Sequence, residues 1–303
     1  WVRTGADESI RMLDKSLTKM AEGGMYDQLG GGFHRYSTDR HWRVPHFEKM
    51  LYDNALLSKL YIDMAQATKQ DIYSEVPRDI FKYILSEMIS PEGAFYSSQD
   101  ADTDGEEGSY YFWEMKEFLE LLGPRNAKVM ARHFGVTSSE GVARKNILYI
   151  AEPIERLAKL EGIAIFELDH ILRKSNEILL KARRKRTRPF TDEKIITGWN
   201  GLMITAFASG YMVLHGKNYL EVAIRAGEFL WNNMWTDSGI LLRIYSNSGS
   251  KINGCLEDYA YFLEAMLSLY EASFDLVWIE RANQLADKMI SEFYDIEEGG
   301  FFM

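Results

Sequence analysis

Apolar residues recur at steps of three and four along this chain: Ile10, Leu13, Leu17 and Met20, then Leu56, Leu57, Leu60 and Met64, then Ile80, Phe81, Ile84, Leu85 and Met88. Such spacing puts each set on one face of an α-helix. The same period returns over residues 171–180, 202–214, 219–231, 256–270 and 279–293, and no sustained two-residue alternation competes with it. The pattern predicts an all-α fold. Residues 111–134 and 140–165 carry no clean period, and short strands are expected only in the loops around Phe33, Tyr96, Tyr149 and Leu241.

Superimposed on the helices is a weak repeat. Glycine turns followed by an apolar residue occur at Gly31-Gly32-Phe33, Glu92-Gly93-Ala94-Phe95, Ser238-Gly239-Ile240-Leu241 and Gly299-Gly300-Phe301, each after a helical segment. A second signature opens the next helix: Leu51-Tyr52-Asp53-Asn54-Ala55 resembles Leu256-Glu257-Asp258-Tyr259-Ala260, with Trp199-Asn200-Gly201-Leu202 a looser copy. A single glycine turn only ends a helix in a left-handed residue. Four in the same context define a unit of helix, glycine turn, loop and helix, and a unit of about 60 residues fits stacked helical hairpins. Closed into a ring, the hairpins make an (α/α)6-type toroid with one set of loops around a central cavity. The 303 residues then read as one toroid domain over 1–303, with room for a missing last hairpin.

Composition narrows the partners. The net charge of −10 works against broad phosphate-backbone binding, so no nucleic-acid partner is expected. Cys255 is the single cysteine, which cannot close an intrachain disulfide and fits a reducing, cytoplasmic setting. Neither a long apolar span nor a signal stretch is present, so no membrane partner is expected. The chain opens at Trp1 without a methionine, as a fragment or processed product would. Aromatics make up 13% of the residues, and many lie beside glycines, in the loops of the proposed ring.

Three clusters carry candidate chemistry. The first is residues 22–54, a long loop holding three of the six histidines. Here His34 and His46 are placed to move protons near neutral pH, Arg35 and Tyr36 to hold an anion or sugar, and Glu48 or Asp53 to act as base or orienting group. Structural hydrogen bonding of the histidines and a helix-dipole role for Asp53 are the competing assignments. The second is Ser97 to Trp113, where Asp100, Asp102, Asp104 and Gly105 imitate the first half of a calcium loop, but Tyr111 stands where a bidentate Glu is required. No metal is therefore expected. Crowded carboxylates such as Asp100 and Asp102 suit an acid–base pair, and Tyr110 and Trp113 suit stacking on a sugar face, against the alternative of a solvated acidic turn. The third joins Trp199 and Asn200 to Glu257 and Asp258 at helix starts, where capping competes with catalysis or binding. The basic run 181–188 reads as solvated charge complementing a helix C-terminus. With no phosphate-binding loop, dinucleotide motif, serine-hydrolase elbow or zinc-peptidase motif, no cofactor is expected.

The segment from Gly23-Gly24-Met25-Tyr26-Asp27 through Val44-Pro45-His46-Phe47-Glu48-Lys49 to Asn54-Ala55 resembles the spermatogenesis-associated, thioredoxin-domain-containing family. The motifs from Ser97 to Trp113, Thr197-Gly198-Trp199-Asn200-Gly201-Leu202 and Leu256-Glu257-Asp258-Tyr259-Ala260 extend it in the same order over nearly the whole chain. The resemblance implies an α/α toroid similar to N-acylglucosamine 2-epimerases and six-hairpin glycosidases, separated from the thioredoxin-like domain of its relatives. Two functions follow as expectations. One is a carbohydrate-active enzyme with a sugar-like small-molecule ligand. As an epimerase it would use His34 and His46, with Arg35 on the enolate; as a glycosidase it would use two carboxylates from Asp53, Asp100, Asp102 and Asp258. The other is a non-catalytic scaffold for a thioredoxin-like partner or client peptide. Fold alone does not decide between them.

Overall fold

The computed structural model describes residue 5 and residues 7–138, 145–246 and 249–302, and among them ten helices and ten short strands follow the chain. In order these are α1 (Asp7–Glu22), β1 (Tyr36–Ser37), β2 (Pro45–His46), β3 (Lys49–Met50), α2 (Leu51–Thr68), α3 (Ile72–Glu87), β4 (Ser98–Gln99), β5 (Asp102–Thr103), β6 (Glu106–Glu107), α4 (Met115–Phe134) and α5 (Ile154–Glu161). There follow α6 (Ile165–Arg183), β7 (Thr191–Asp192), β8 (Ile195–Ile196), α7 (Thr197–Leu214), α8 (Tyr219–Met234), β9 (Leu242–Ser246), β10 (Gly249–Asn253), α9 (Leu256–Ser273) and α10 (Leu276–Phe293). Every segment with a clean helical period lies in a helix. The unclear stretches contain α4, which kinks at Gly123-Pro124, and the short α5. Of the expected strand sites, Phe33 and Leu241 enter β-bridges, as does Phe95 beside Tyr96, whereas Tyr149 does not. No helix among the described residues is long and apolar enough to cross a membrane.

Two compact units emerge, one from residues 1–49 and 100–190, the other from 50–99 and 191–303. The second unit is built of three helical hairpins, α2–α3, α7–α8 and α9–α10, and α7 packs against both α2 and α9. Sequence explains why α7 is central. It is apolar on every side, with Leu202, Met203, Ile204, Ala206, Phe207 and Ala208 all buried, as a helix enclosed by neighbours must be. Gly201 lets α9 approach, because a Cβ there would sit 2.6 Å from the Tyr261 carbonyl oxygen. Phe207 then stacks between Phe81 and Phe95, at 4.2 and 5.5 Å between ring centres.

The repeat proposed from sequence is present in the fold. The four glycine turns follow α1, α3, α8 and α10, and each is closed by a single antiparallel bridge: Tyr26 to Phe33, Ile89 to Phe95, Trp235 to Leu241 and Tyr294 to Phe301. Glycine is needed at these corners because the backbone turns through positive φ, +75° at Gly31 and +103° at Gly93.

The first unit gathers α4, α5 and α6 around Trp113, Phe118, Met130, Phe134, Leu157, Leu168 and Leu179. It also carries the ribbon β1–β2, pairing Tyr36 with His46 and Ser37 with Pro45, and the acidic hairpin β5–β6, pairing Asp102 with Glu107.

Candidate functional site

The ribbon of the first unit sorts its residues by the two-residue alternation of extended backbone. Beyond the β1–β2 pair it is prolonged by the Arg35 amide donating to the Glu48 carbonyl at 2.8 Å. His34, Phe47 and Lys49 turn inward and are buried, while Arg35, His46 and Glu48 turn outward. Two histidines treated as partners on the strength of sequence proximity therefore stand on opposite faces.

On the inner face, the Asp27 carboxylate receives both forks of Arg183 at 2.7 and 2.8 Å and the Lys49 ammonium at 2.8 Å. The backbone amides of Leu29 and Gly30 also donate to it, and Lys49 reaches the Gly31 carbonyl as well. Burial alone would raise the Asp27 carboxyl, but Arg183 and Lys49 overcome it and hold the group well below the usual carboxylate range. His34 lies beside this cluster, edge-on to the rings of Tyr111 and Phe47. Its Nδ1 is 2.9 Å from the Phe47 carbonyl, which can only accept, so the proton sits on Nδ1. Burial, reinforced by Lys49, pushes its pKa down to about 3. His34 is thus a neutral, enclosed imidazole, 2% exposed, and the proton-carrying role expected of it does not fit its surroundings. A small cleft lined by Tyr26, Asp27, Gln28, His34, Tyr111 and Arg183 borders the cluster.

The outer face assembles the open groups. Nδ1 of His46 is 2.8 Å from Oε1 of Glu107, and its Nε2 is 3.6 Å from Oε2 of Glu48, which also takes the Arg35 guanidinium at 2.9 Å. The Phe47 amide donates to the same Glu107 oxygen, and the Tyr36 ring stacks on the imidazole at 5.2 Å. Four residues singled out in the sequence, Arg35, Tyr36, His46 and Glu48, thus meet Glu107 from the second cluster. That carboxylate was not singled out. Its signal lay in the hairpin register, which needs the fold.

Other members of the second cluster are placed differently. Asp100 and Asp102 are exposed, and the Asp100 carboxylate accepts from the Ala101 and Asp102 amides. Tyr110 and Trp113 are buried, at 9% and 1% exposure, which corrects the expectation that they stack on a sugar. Tyr110 lies under Arg183, and Trp113 packs on Phe118 beneath Arg186, 4.2 Å from the ring centre. The basic run is likewise not all solvated. Arg183 continues the buried stripe Leu168, Leu172, Ser175 and Leu179 of α6, while Arg186 donates to the carbonyls of Tyr110 and Phe112 and pairs with Glu117. That stripe was the signal available in the sequence.

In the second unit the helix-start cluster serves the repeat. Asn200 is fully buried; its Oδ1 accepts from the Phe95 amide, and its Nδ2 spends both hydrogens on the carbonyls of Phe95 and Ile196, so it ties the turn to the helix and is closed off from a ligand. Tyr259 does the same for the next turn, its hydroxyl accepting from the Leu241 amide. Asp258 is 1% exposed and caps α9, accepting from Cys255 and Gly198 amides and from Arg243, which also pairs with Glu257. These bonds correct the catalytic expectation for Asp258 toward capping, while Glu257 stays exposed beside Arg243. Burial and the Asp258 carboxylate push the Cys255 thiol up, keeping it protonated. Trp199 is half-buried against Tyr52 at 4.8 Å, and Asp53 is half-buried in the first turn of α2.

No protein-family model matches the chain. Among solved structures, the unsaturated glucuronyl hydrolase of Bacillus sp. GL1 aligns with all of this chain and 62% of its own length, at 11% identity and a TM-score of 0.57. An unsaturated glucuronyl hydrolase specific for heparin aligns with 98% of this chain and 59% of its own, also at 11% identity and 0.57. At that identity the likeness shows the fold alone, the (α/α)6 class of helical hairpins expected from the repeat. In sequence, the chain is 34% identical to spermatogenesis-associated protein 20 of Homo sapiens across 95% of its length and 33% identical to that of Mus musculus. It spans 41% of the length of these relatives. Over the portion matched, the chain is similar to spermatogenesis-associated protein 20, of the family that its motifs resemble.

Proposed function

We propose that this chain is a carbohydrate-active hydrolase of the glycosidase kind, working on a uronate-bearing sugar at the outer face of the ribbon. The observation that carries the reading is the imidazole of His46 held between two carboxylates on an open surface beside a stacked tyrosine. Glu107 accepts the Nδ1 proton and so fixes the tautomer that leaves Nε2 as a base. Nε2 and the Glu48 carboxylate, 3.6 Å apart, are both acceptors and make no direct hydrogen bond, which leaves a place where a water can donate to the two. His46 takes the proton of that water as the water oxygen bonds to the sugar carbon and the glycosidic C–O bond breaks, the departing oxygen taking a proton from solvent; Arg35 supplies a cation for the sugar carboxylate, and the exposed Tyr36 ring offers an apolar face. The fold shared with unsaturated glucuronyl hydrolases supports this choice of sugar.

The test is hydrolysis of unsaturated glucuronyl disaccharides, followed by loss of the ultraviolet absorbance of their double bond, together with ligand-observed NMR against a panel of mono- and oligosaccharides. Turnover that disappears in His46→Gln while binding survives supports the reading. Absence of binding by every sugar sinks it and leaves the scaffold for a thioredoxin-like partner.

A further inference from the structure

The basic run at the end of α6 splits into an inward and an outward set. Arg183 and Arg186, three apart, turn in and hold Asp27 and the carbonyls of Tyr110 and Phe112. Lys181, Arg184, Lys185 and Arg188 turn out and are exposed, followed by Phe190 at 71% exposure. Elsewhere on the helices several lysines find a carboxylate three or four residues away: Lys19 with Glu22, Lys59 with Asp63, Lys174 with Glu177 and Lys288 with Glu292. Lys181 and Lys185, four residues apart, have no ion-pair partner among the described residues. In a chain of net charge −10, an exposed turn with this excess of cations is a local reversal of sign.

Its position gives the reversal a use. The run is tied at one end to the Tyr110–Phe112 segment through Arg186 and at the other to the foot of the acidic hairpin, where the Asp100 amide donates to the Phe190 carbonyl at 2.8 Å. That hairpin carries Glu107 to His46. The cations therefore flank the element that completes the outer-face cluster, within the same compact unit.

We infer that the exposed edge of residues 181–190 is a docking surface for an anionic polysaccharide, a chain of uronate or sulfated sugars, with Lys181 and Lys185 meeting its charges and Phe190 packing on a sugar ring. The inference rests on the carbohydrate reading above. Charge complementarity selects a polyanion, because field-directed capture raises the local concentration of such a ligand next to the cluster. The acidic hairpin beside it disfavours a rigid nucleic-acid duplex with its dense, unbroken phosphates, whereas a flexible polysaccharide can follow the cationic edge alone.

The experiment titrates the whole chain with fluorescein-labelled heparin and, separately, with a labelled DNA duplex of similar charge, at two salt concentrations. Wild type is expected to bind heparin, more weakly at high salt, and Lys181→Glu/Lys185→Glu to bind about tenfold less tightly with a flatter salt dependence. Phe190→Ala is expected to weaken heparin binding without flattening it. Circular dichroism confirms that each variant is folded. Equal affinity for duplex and heparin, or heparin binding unmoved by the double variant, overturns the inference. Disaccharide turnover by wild type and by His46→Gln is read in parallel, so a docking surface that holds beside an inactive cluster refutes only the hydrolase reading.

Discussion

The inner and outer faces of one short ribbon carry the same kinds of side chain to different ends. Inside, Asp27, Lys49, Arg183 and His34 form a closed arrangement in which every charge is paired and the imidazole is kept neutral. Outside, Arg35, Glu48, Glu107 and His46 make looser pairs open to solvent, with His46 a quarter exposed. A buried pair that loses one member leaves an uncompensated charge in a poor solvent, whereas an exposed pair loses little. The difference teaches that residue type and spacing name the chemistry a segment can do, while burial decides whether it does chemistry or holds the fold.

Perturbing the inner face should have the largest effect. Asp27→Ala strands Lys49 and Arg183 and is expected to cost about 3–5 kcal/mol of stability, measured by urea denaturation; a loss below about 1 kcal/mol would place Asp27 among the open pairs. Next comes acid. An unfolded histidine takes up a proton near pH 6.5, but His34 in the folded protein resists protonation until about pH 3. Between those values the unfolded chain binds more protons, so stability falls as pH drops, by about 1.4 kcal/mol per unit at full effect. Asp27 deepens the loss below the ordinary carboxylate range, since its carboxyl is held down only in the folded state. Denaturation of His34→Gln across this range should give a flatter slope than wild type, and an unchanged slope would remove His34 as its source.

Much of this division was within reach of the sequence. The helices followed from their period, and the glycine turns marked the repeat. What escaped had identifiable causes. Residues 46–49 alternate inward and outward, but the strands here are only two residues long, too short to show as a strand pattern. Arg183 sat on the buried stripe of α6, masked by the cations around it, and its partner Asp27 lies 156 residues away. Trp113 and Asn200 looked like ligand contacts because one is an aromatic in an acidic loop and the other stands at a helix start, where sequence does not distinguish an exposed segment from a tied one. The fold supplied the ties, such as Asn200 to Phe95.

Smaller effects sharpen the outer side of the comparison. His46→Gln is expected to abolish sugar turnover while shifting the melting midpoint by the equivalent of about 1 kcal/mol or less, checked by thermal denaturation beside the activity assay. Arg35→Ala removes one exposed ion pair and should change stability by about 0.5 kcal/mol while raising KM for a uronate-bearing sugar more than it lowers kcat. A destabilisation as large as that of Asp27→Ala from either variant would erase the distinction between the faces.

Histidine side-chain NMR reads both faces in one sample. Imidazole signals of His34 and His46, assigned with the His34→Gln and His46→Gln variants, are recorded with and without a saturating unsaturated glucuronyl disaccharide. The account predicts that the sugar moves the His46 signals and leaves His34 in its neutral Nδ1-protonated form; a sugar that moves His34 and not His46, or that moves neither, contradicts it.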